Sequence, residues 1–258
     1  MLLVIDVGNT NTVIGVFENG TVKQDWRIKS IRDTTPDEFN ITAKALFLDG
    51  GIDPEKIEKT VISSVVPPAV AILDTFCSKY LGIEPLWVTP EAARSLMPIL
   101  YHNPSEVGSD RIVNAVAAFD KYRTGMIIVD FGTATTFDVI SDNGEYLGGA
   151  ITPGIAISSE ALFRTASKLP RVDIFQPPEK VIGKDTSDSI KSGIIYGYAA
   201  LVDGMVQRMR EETGGRLKVV ATGGLSPLIS KVSRTIENVE EQLTLEGLLI
   251  ISEKLFAR

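Results

Sequence analysis

The chain has 258 residues, 44% hydrophobic and 23% charged, a balance that suits packed globular domains and excludes a disordered chain. A net charge of −7 argues against the basic stripe that a nucleic-acid backbone requires, yet leaves room for small anions held by a few aimed amides and one arginine. One cysteine (Cys77) and one histidine (His102) exclude an internal disulfide and both cysteine-cluster and histidine-rich metal sites.

In chain order, the apolar run Leu2–Ile5 predicts a buried strand with no basic leader ahead of it. The turn Asp6-Val7-Gly8-Asn9-Thr10-Asn11-Thr12 follows, then a strand over Thr12–Phe17, an Asn19-Gly20 hairpin turn and a third strand. Thr35-Pro36-Asp37-Glu38 has the form of a capping box, which predicts a helix to about Leu48 before Gly50-Gly51 stops it. A strand at Lys59–Val65, a helix at Pro68–Tyr80 holding Cys77 as a buried inert thiol, and a strand at Pro85–Val88 come next. Gly108-Ser109-Asp110-Arg111 then opens a helix carrying Ile112, Val113, Ala115, Val116 and Phe119.

At Ile127–Val129 the grammar starts again. Residues 126–144 (MIIVDFGTATTFDVISDNG) align without a gap on residues 2–20 (LLVIDVGNTNTVIGVFENG). Asp6 falls on Asp130, Gly8 on Gly132, Thr12 on Thr136, Asn19 on Asn143 and Gly20 on Gly144, so the chain reads as two structural copies. In the second copy, helices are predicted at Ile155–Ser167, Ser187–Glu212, Leu225–Val232 and Leu245–Phe256, with strands at Lys218–Thr222 and Thr235–Val239. A meander followed by alternating strands and helices, given twice, predicts two α/β domains with mixed sheets and a cleft between them, divided as 1–124 and 125–258. No 18-residue apolar stretch occurs, so no membrane span is expected and the cytoplasm is the expected compartment.

Four segments carry chemistry. Gly8 permits a tight turn, and Asn9, Thr10 and Thr12 offer amides and hydroxyls to phosphate oxygens, while Asp6 suits a hydrated Mg²⁺. Asp130-Phe131-Gly132-Thr133-Ala134-Thr135-Thr136 repeats that logic, and Thr222-Gly223-Gly224 ends a strand where a flat or anionic group can come close. Neither a G-x-G-x-x-G fingerprint nor a GxxxxGK[ST] loop is present. In the fourth, Ser109 or Asp110 is the N-cap of the helix that follows, the reading the segment favours by itself; a carboxylate there is also able to take a proton from a substrate hydroxyl, and Arg111 offers a fork for a carboxylate.

These segments in order, DVGNTNT, GSDR, DFGTATT and ATGG, together with the WRI segment at Trp26–Ile28 and the GGAITPG loop at Gly148–Gly154, resemble the type III pantothenate kinases over essentially the whole chain. That resemblance implies the duplicated ribonuclease H-like, actin-like α/β fold of the acetate and sugar kinase, heat-shock chaperone and actin superfamily, each domain a mixed five-stranded sheet with flanking helices. It implies transfer of the ATP γ-phosphoryl group to the 4′-hydroxyl of pantothenate, the first step of coenzyme A synthesis. By position, Asp6, Val7, Gly8, Asn9, Thr10, Asn11, Thr12 and Val13 correspond to the ATP phosphate loop, with Thr133, Gly223 and Gly224 as further ATP contacts. Asp110 corresponds to the proton acceptor. Tyr101, Gly108, Ser109, Asp110, Arg111 and Thr186 correspond to the pantothenate site, with Asp185 where asparagine is frequent. Asp130 corresponds to the ligand of a monovalent cation, K⁺ or NH₄⁺, and Asp6 to a Mg²⁺ ligand through water. A homodimer is implied, with the apolar segment Ile190–Val206 as one candidate surface and no nucleic-acid or membrane partner.

Overall fold

The computed structural model describes residues 1–30 and 34–256. Packing divides them into two compact units: Met1–Asp120 with the C-terminal segment from Leu243, and Lys121–Gln242. The expected division at 124/125 lies close to the first crossing. The terminal helix departs from that expectation, because it packs on the first sheet rather than the second.

In the first unit, β1 (Leu2–Val7), β2 (Asn11–Glu18), β3 (Thr21–Lys29), β4 (Lys59–Ser64) and β5 (Leu86–Trp87) form one sheet in the order β3-β2-β1-β4-β5. The β1–β2 and β2–β3 pairs are antiparallel, and β1–β4 and β4–β5 are parallel. β1 lies at the centre, and its Leu3, Val4 and Ile5 are fully buried, as an unbroken apolar run requires. Helices α1 (Pro36–Asp49) and α2 (Pro68–Phe76) cover one face, where Phe39, Phe47, Leu73 and Phe76 meet Leu3, Ile5 and Val7. The capping box holds: Thr35 Oγ1 accepts from Glu38 N at 3.2 Å, and Glu38 Oε2 accepts from Thr35 N at 2.8 Å. α2 ends in a π-turn at Cys77–Leu81, and burial pushes the Cys77 thiol up to about 12, which keeps it inert.

The short α3 (Pro90–Ala93) and a loop lead to α4 (Ser109–Tyr122). The last helix of the chain, Leu243–Phe256, packs on β1, β2 and β4. Leu245 lies over Gly15 of β2, and the backbone of Gly247 lies against Val113 of α4, where a Cβ would meet Val113 O at 2.4 Å. Thr244 donates to Asn114 at 2.8 Å, and Lys254 pairs with Asp120 at 2.7 Å. An apolar helical pattern states that a helix is buried, not against which sheet. That is why the boundary was not legible.

The second unit repeats the plan with β6 (Met126–Phe131), β7 (Ala134–Ile140), β8 (Tyr146–Pro153), β9 (Lys218–Thr222) and β10 (Asn238–Val239), in the order β10-β9-β6-β7-β8. Its helices are α5 (Ile155–Thr165), α6 (Thr186–Thr213) and α7 (Ser226–Ile229), and the terminal helix is α8. Ile190, Ile194, Ile195, Val202 and Val206 of α6 join Ile127, Val129 and Phe137 in the core of this unit. Each such burial stabilises the unit by about 1.5–3 kcal/mol. These apolar residues of α6 therefore face inward, and the exposed row on the same helix is Gly193, Gly197, Ala200 and Gly204.

The duplication is real, but the gapless alignment is off by one residue in the second strand of each copy. Val7 pairs with Thr12 and Asp6 with Val13, whereas Phe131 pairs with Thr135 and Asp130 with Thr136. The second turn is one residue shorter, and Thr12 corresponds to Thr135, not Thr136. Both are buried, at 4% and 0% exposure. The hairpins restore the count: Asn19-Gly20 closes a two-residue loop with φ of 53° and 78°, while Asp142-Asn143-Gly144 spans three residues between Ser141 and Glu145.

Candidate active site

The first unit brings two of the four segments together. The turn after β1 is closed by Gly8 N–H donating to Asn11 O at 3.0 Å, and the segment after β4 joins it through Val65 N–H to Val7 O at 3.1 Å. Asp6 is the residue beside Ser63 in the parallel β1–β4 ladder. Ser63 Oγ in turn donates to Ser109 Oγ at 3.0 Å, and Ser109 Oγ donates to Ser64 O at 3.1 Å. The end of β4 thus ties the phosphate-type turn to the first residues of α4. Ser63 was missed in the sequence, since a serine inside an apolar strand carries no periodic signal.

Gly108 explains itself here. A Cβ at this position would sit 2.6 Å from Asp110 Oδ1 and 3.6 Å from Val65 Cγ1, so glycine makes the space that the carboxylate occupies. Asp110 Oδ1 accepts from Arg111 N at 2.8 Å; the helix begins at Ser109, so Asp110 lies within its first turn and is not its cap. Burial raises its pKa above the ordinary 3.8, against the opposing pull of the Arg111 amide and guanidinium. A partly desolvated carboxylate with raised proton affinity is what general-base chemistry needs. Arg111 is buried, at 8% exposure. The Ser109 hydroxyl points inward, accepting from Ser63 Oγ and donating to Ser64 O. Tyr101 is half-buried in the loop before α4.

The turn itself has two sides. Thr12 is buried, and its Oγ1 lies 2.8 Å from Ser30 Oγ, so its side chain faces the α1/α2 side and not a phosphate. Val7 is in the core on that side as well. Asp6 and residues Asn9 to Asn11 are at least partly exposed, as is Val13 at the start of β2. Among the described residues no group of three acidic, histidine or cysteine side chains converges on one point. A lone strand-end carboxylate with turn oxygens fits Mg²⁺ held mainly by water and phosphate, and would not fit a closed protein cage.

In the second unit the turn after β6 is packed from two directions. Gly154 N–H donates to Thr133 O at 3.1 Å, and a Cβ on Gly154 would meet that oxygen at 2.2 Å. Gly223 has φ +86°, and a Cβ there would lie 2.5 Å from Asp130 Oδ1 and 2.7 Å from Phe131 O. The ATGG segment is therefore pressed onto the DFG turn, with a carboxylate and a carbonyl oxygen converging above Gly223. Gly224 lies in the open beside it. Thr186, the first residue of α6, lines an open cavity of about 700 Å³ with Gly183, Lys184 and Leu162. Asp185 is the N-cap of α6, accepting from Asp188 N at 2.8 Å, a role that asparagine fills equally well.

Comparison with known proteins completes the assignment. A Campylobacter jejuni structure described as a Baf family transcriptional activator superposes with a TM-score of 0.64 at 19% identity, covering 99% of this chain and all of that one. The activator of 2-hydroxyisocaproyl-CoA dehydratase from Clostridium difficile, solved with bound ADPNP, superposes with a TM-score of 0.56 at 15% identity, covering 99% of this chain and 94% of that one. These likenesses, with the twice-repeated sheet order, define the class as the actin-like fold shared by sugar kinases and dehydratase activators.

Residues 2–208 match the type III pantothenate kinase family. The type III pantothenate kinase of Desulforapulum autotrophicum is 67% identical over 254 residues, spanning 98% of this chain and 97% of that one. This chain belongs to the type III pantothenate kinase family, which makes it an ATP-dependent enzyme acting on a small molecule. Among the described residues no helix is long and apolar enough to cross a membrane.

Proposed function

We propose that the pantothenate kinase reaction, transfer of the ATP γ-phosphoryl group to the 4′-hydroxyl of pantothenate, is carried by Asp110 as proton acceptor. The observation behind this is the space that Gly108 leaves for a carboxylate whose proton affinity burial has raised. Residues 6–13 hold the triphosphate mainly through backbone amides and the partly exposed side chains of the turn, with Asp6 on Mg²⁺ through water. The metal supplies charge neutralisation on the transferring phosphoryl group. Thr133, Gly223 and Gly224 serve as further nucleotide contacts, and Asp130 with Phe131 O holds K⁺ or NH₄⁺. Arg111 takes the pantothenate carboxylate, and Tyr101, Gly108, Ser109 and Thr186 complete the substrate contacts. The reaction belongs in the cytoplasm, where ATP is at hand. An ADP-release assay with pantothenate tests this reading: turnover should require pantothenate and rise on adding K⁺ or NH₄⁺. Turnover indifferent to monovalent cations would remove the role given to Asp130.

A homodimer is part of the same reading. Gly193, Gly197, Ala200 and Gly204 leave the outer face of α6 bare at alternating spacings of four and three, and a Cβ on any of the three glycines meets nothing within 4 Å. Such a row lets a second helix approach closely. β8 adds exposed Leu147 and Ile151, at 37% and 63% exposure. Gly197→Arg should convert the dimer to monomer in sedimentation, whereas an unchanged dimer would place the interface elsewhere.

A further inference from the structure

A buried serine in an apolar strand is unfavourable unless its hydroxyl is bonded, and Ser63, which follows Val61 and Ile62 in β4, is fully buried. Ile5, Val7 and Ile62 point to α1 and α2, so the alternation of the strands sends Asp6 and Ser63 to the opposite face, side by side in the ladder. A carbonyl oxygen can only accept. Ser109 therefore donates its one proton to Ser64 O, at 3.1 Å, and Ser63 donates its own to Ser109 Oγ, at 3.0 Å. These two bonds pin the first residue of α4 to the end of β4. Further along, α4 is held by other means: Thr244 donates to Asn114, and Gly247 lies against Val113. The serine pair thus governs the first turn of the helix. That turn carries Asp110, whose carboxylate occupies the space that Gly108 leaves, with Val65 close on the β4 side.

We propose that Ser63 is a positioning residue for phosphoryl transfer: through Ser109 it fixes the first turn of α4 and so sets where the Asp110 carboxylate meets the acceptor hydroxyl. This inference rests on the reading of Asp110 as proton acceptor. Without the Ser63 hydroxyl, Ser109 keeps only its bond to Ser64 O, and the turn is free to drift. A misplacement of about 1 Å costs about a hundredfold in rate, so a smaller drift should cost about tenfold. The same drift admits water to Asp110, whose proton affinity is raised by burial.

The test compares the full-length parent, Ser63→Ala, Asp110→Asn and the double variant in single-turnover transfer across pH, with steady-state KM values for ATP and pantothenate. Ser63→Ala removes one oxygen atom and adds none. It should slow transfer about tenfold and leave both KM values within about twofold. Its acid pH limb should move down toward the ordinary carboxylate value, which a merely structural loss would not do. In the Asp110→Asn background Ser63→Ala should cost nothing further, since a proton acceptor already lost cannot be misplaced. A slow Asp110→Asn beside a Ser63→Ala that keeps the parent's rate, or is slowed with its pH limb unmoved, would overturn the inference and leave the proton acceptor standing. A full multiplicative cost in the double variant, or a raised KM for ATP at unchanged rate, would also overturn it and assign Ser63 to the phosphate turn. Asp110→Asn at the parent's rate would remove the proton acceptor itself, and the inference with it.

Discussion

The two strand-turn-strand copies share burial and ladder yet are braced differently. β2 and β7 show the same alternation of buried and half-buried residues, read one position apart, so the sheet frame has been kept while the turn lost a residue. In the first copy the turn is flanked by Ser63 in the ladder and, through Ser109, by the start of α4. In the second, Thr222 holds the place of Ser63, and Gly223 after it is pressed against Asp130. One copy has a turn tied to an acid, and the other has a turn clamped by glycines. The same division shows two positions beyond the ladder partners of the two aspartates, Val13 and Thr136. Gly15 of β2 admits Leu245, while Asp138, its counterpart in β7, is fully buried and accepts from Tyr146 Oη at 2.6 Å and Thr136 Oγ1 at 3.1 Å.

Substitutions can break that contrast. Gly108→Ala forces the Asp110 carboxylate from its place, and kcat should fall by about 10², since a misplacement of about 1 Å costs that much, with little loss of ATP binding in the first copy. Gly223→Ala strains a left-handed residue and crowds Asp130 and Phe131. It should lower kcat/KM by about tenfold and blunt activation by K⁺, since the strain is on the order of 1–2 kcal/mol. Asp138→Ala should spare kcat yet destabilise the second unit by about 3 kcal/mol in urea unfolding, because two hydroxyl donors lose a charged acceptor. An Asp138→Ala chain that loses turnover without losing stability would move Asp138 from frame to site.

Much of this was legible in the sequence. The apolar run before each aspartate, the Thr35–Glu38 capping box and the strand-turn-strand repeat all rest on local spacing, and local spacing survives folding. Three features do not. The one-residue slip between β2 and β7 is hidden because a longer hairpin at Asp142–Gly144 cancels it. The docking of α8 depends on which sheet offers a gap at Gly15. The direction of α6 depends on which face of a long mixed helix finds a core, and Ile194 and Val202 found one while Gly197 did not. Within the candidate site the GSDR and DFG segments were readable as motifs. The inward turn of Ser109 and the link through Ser63 arise only when β4 and α4 meet.

Linkage adds a sign. Because the folded pKa of Asp110 lies above 3.8, ionising it opposes folding, so its contribution to stability is full below that value and is lost as pH rises through the folded pKa. Asp110→Asn, which cannot ionise, should melt higher than the parent at neutral pH. The most direct test of the account is the pH dependence of single-turnover phosphoryl transfer in the parent chain and in Asp110→Asn. The parent rate should rise with one ionisation above the ordinary carboxylate value, and the variant should be slower by about 10²–10⁴ with that ionisation gone. A variant that kept the parent's rate and its pH limb would contradict the assignment of Asp110 as the group that takes the proton.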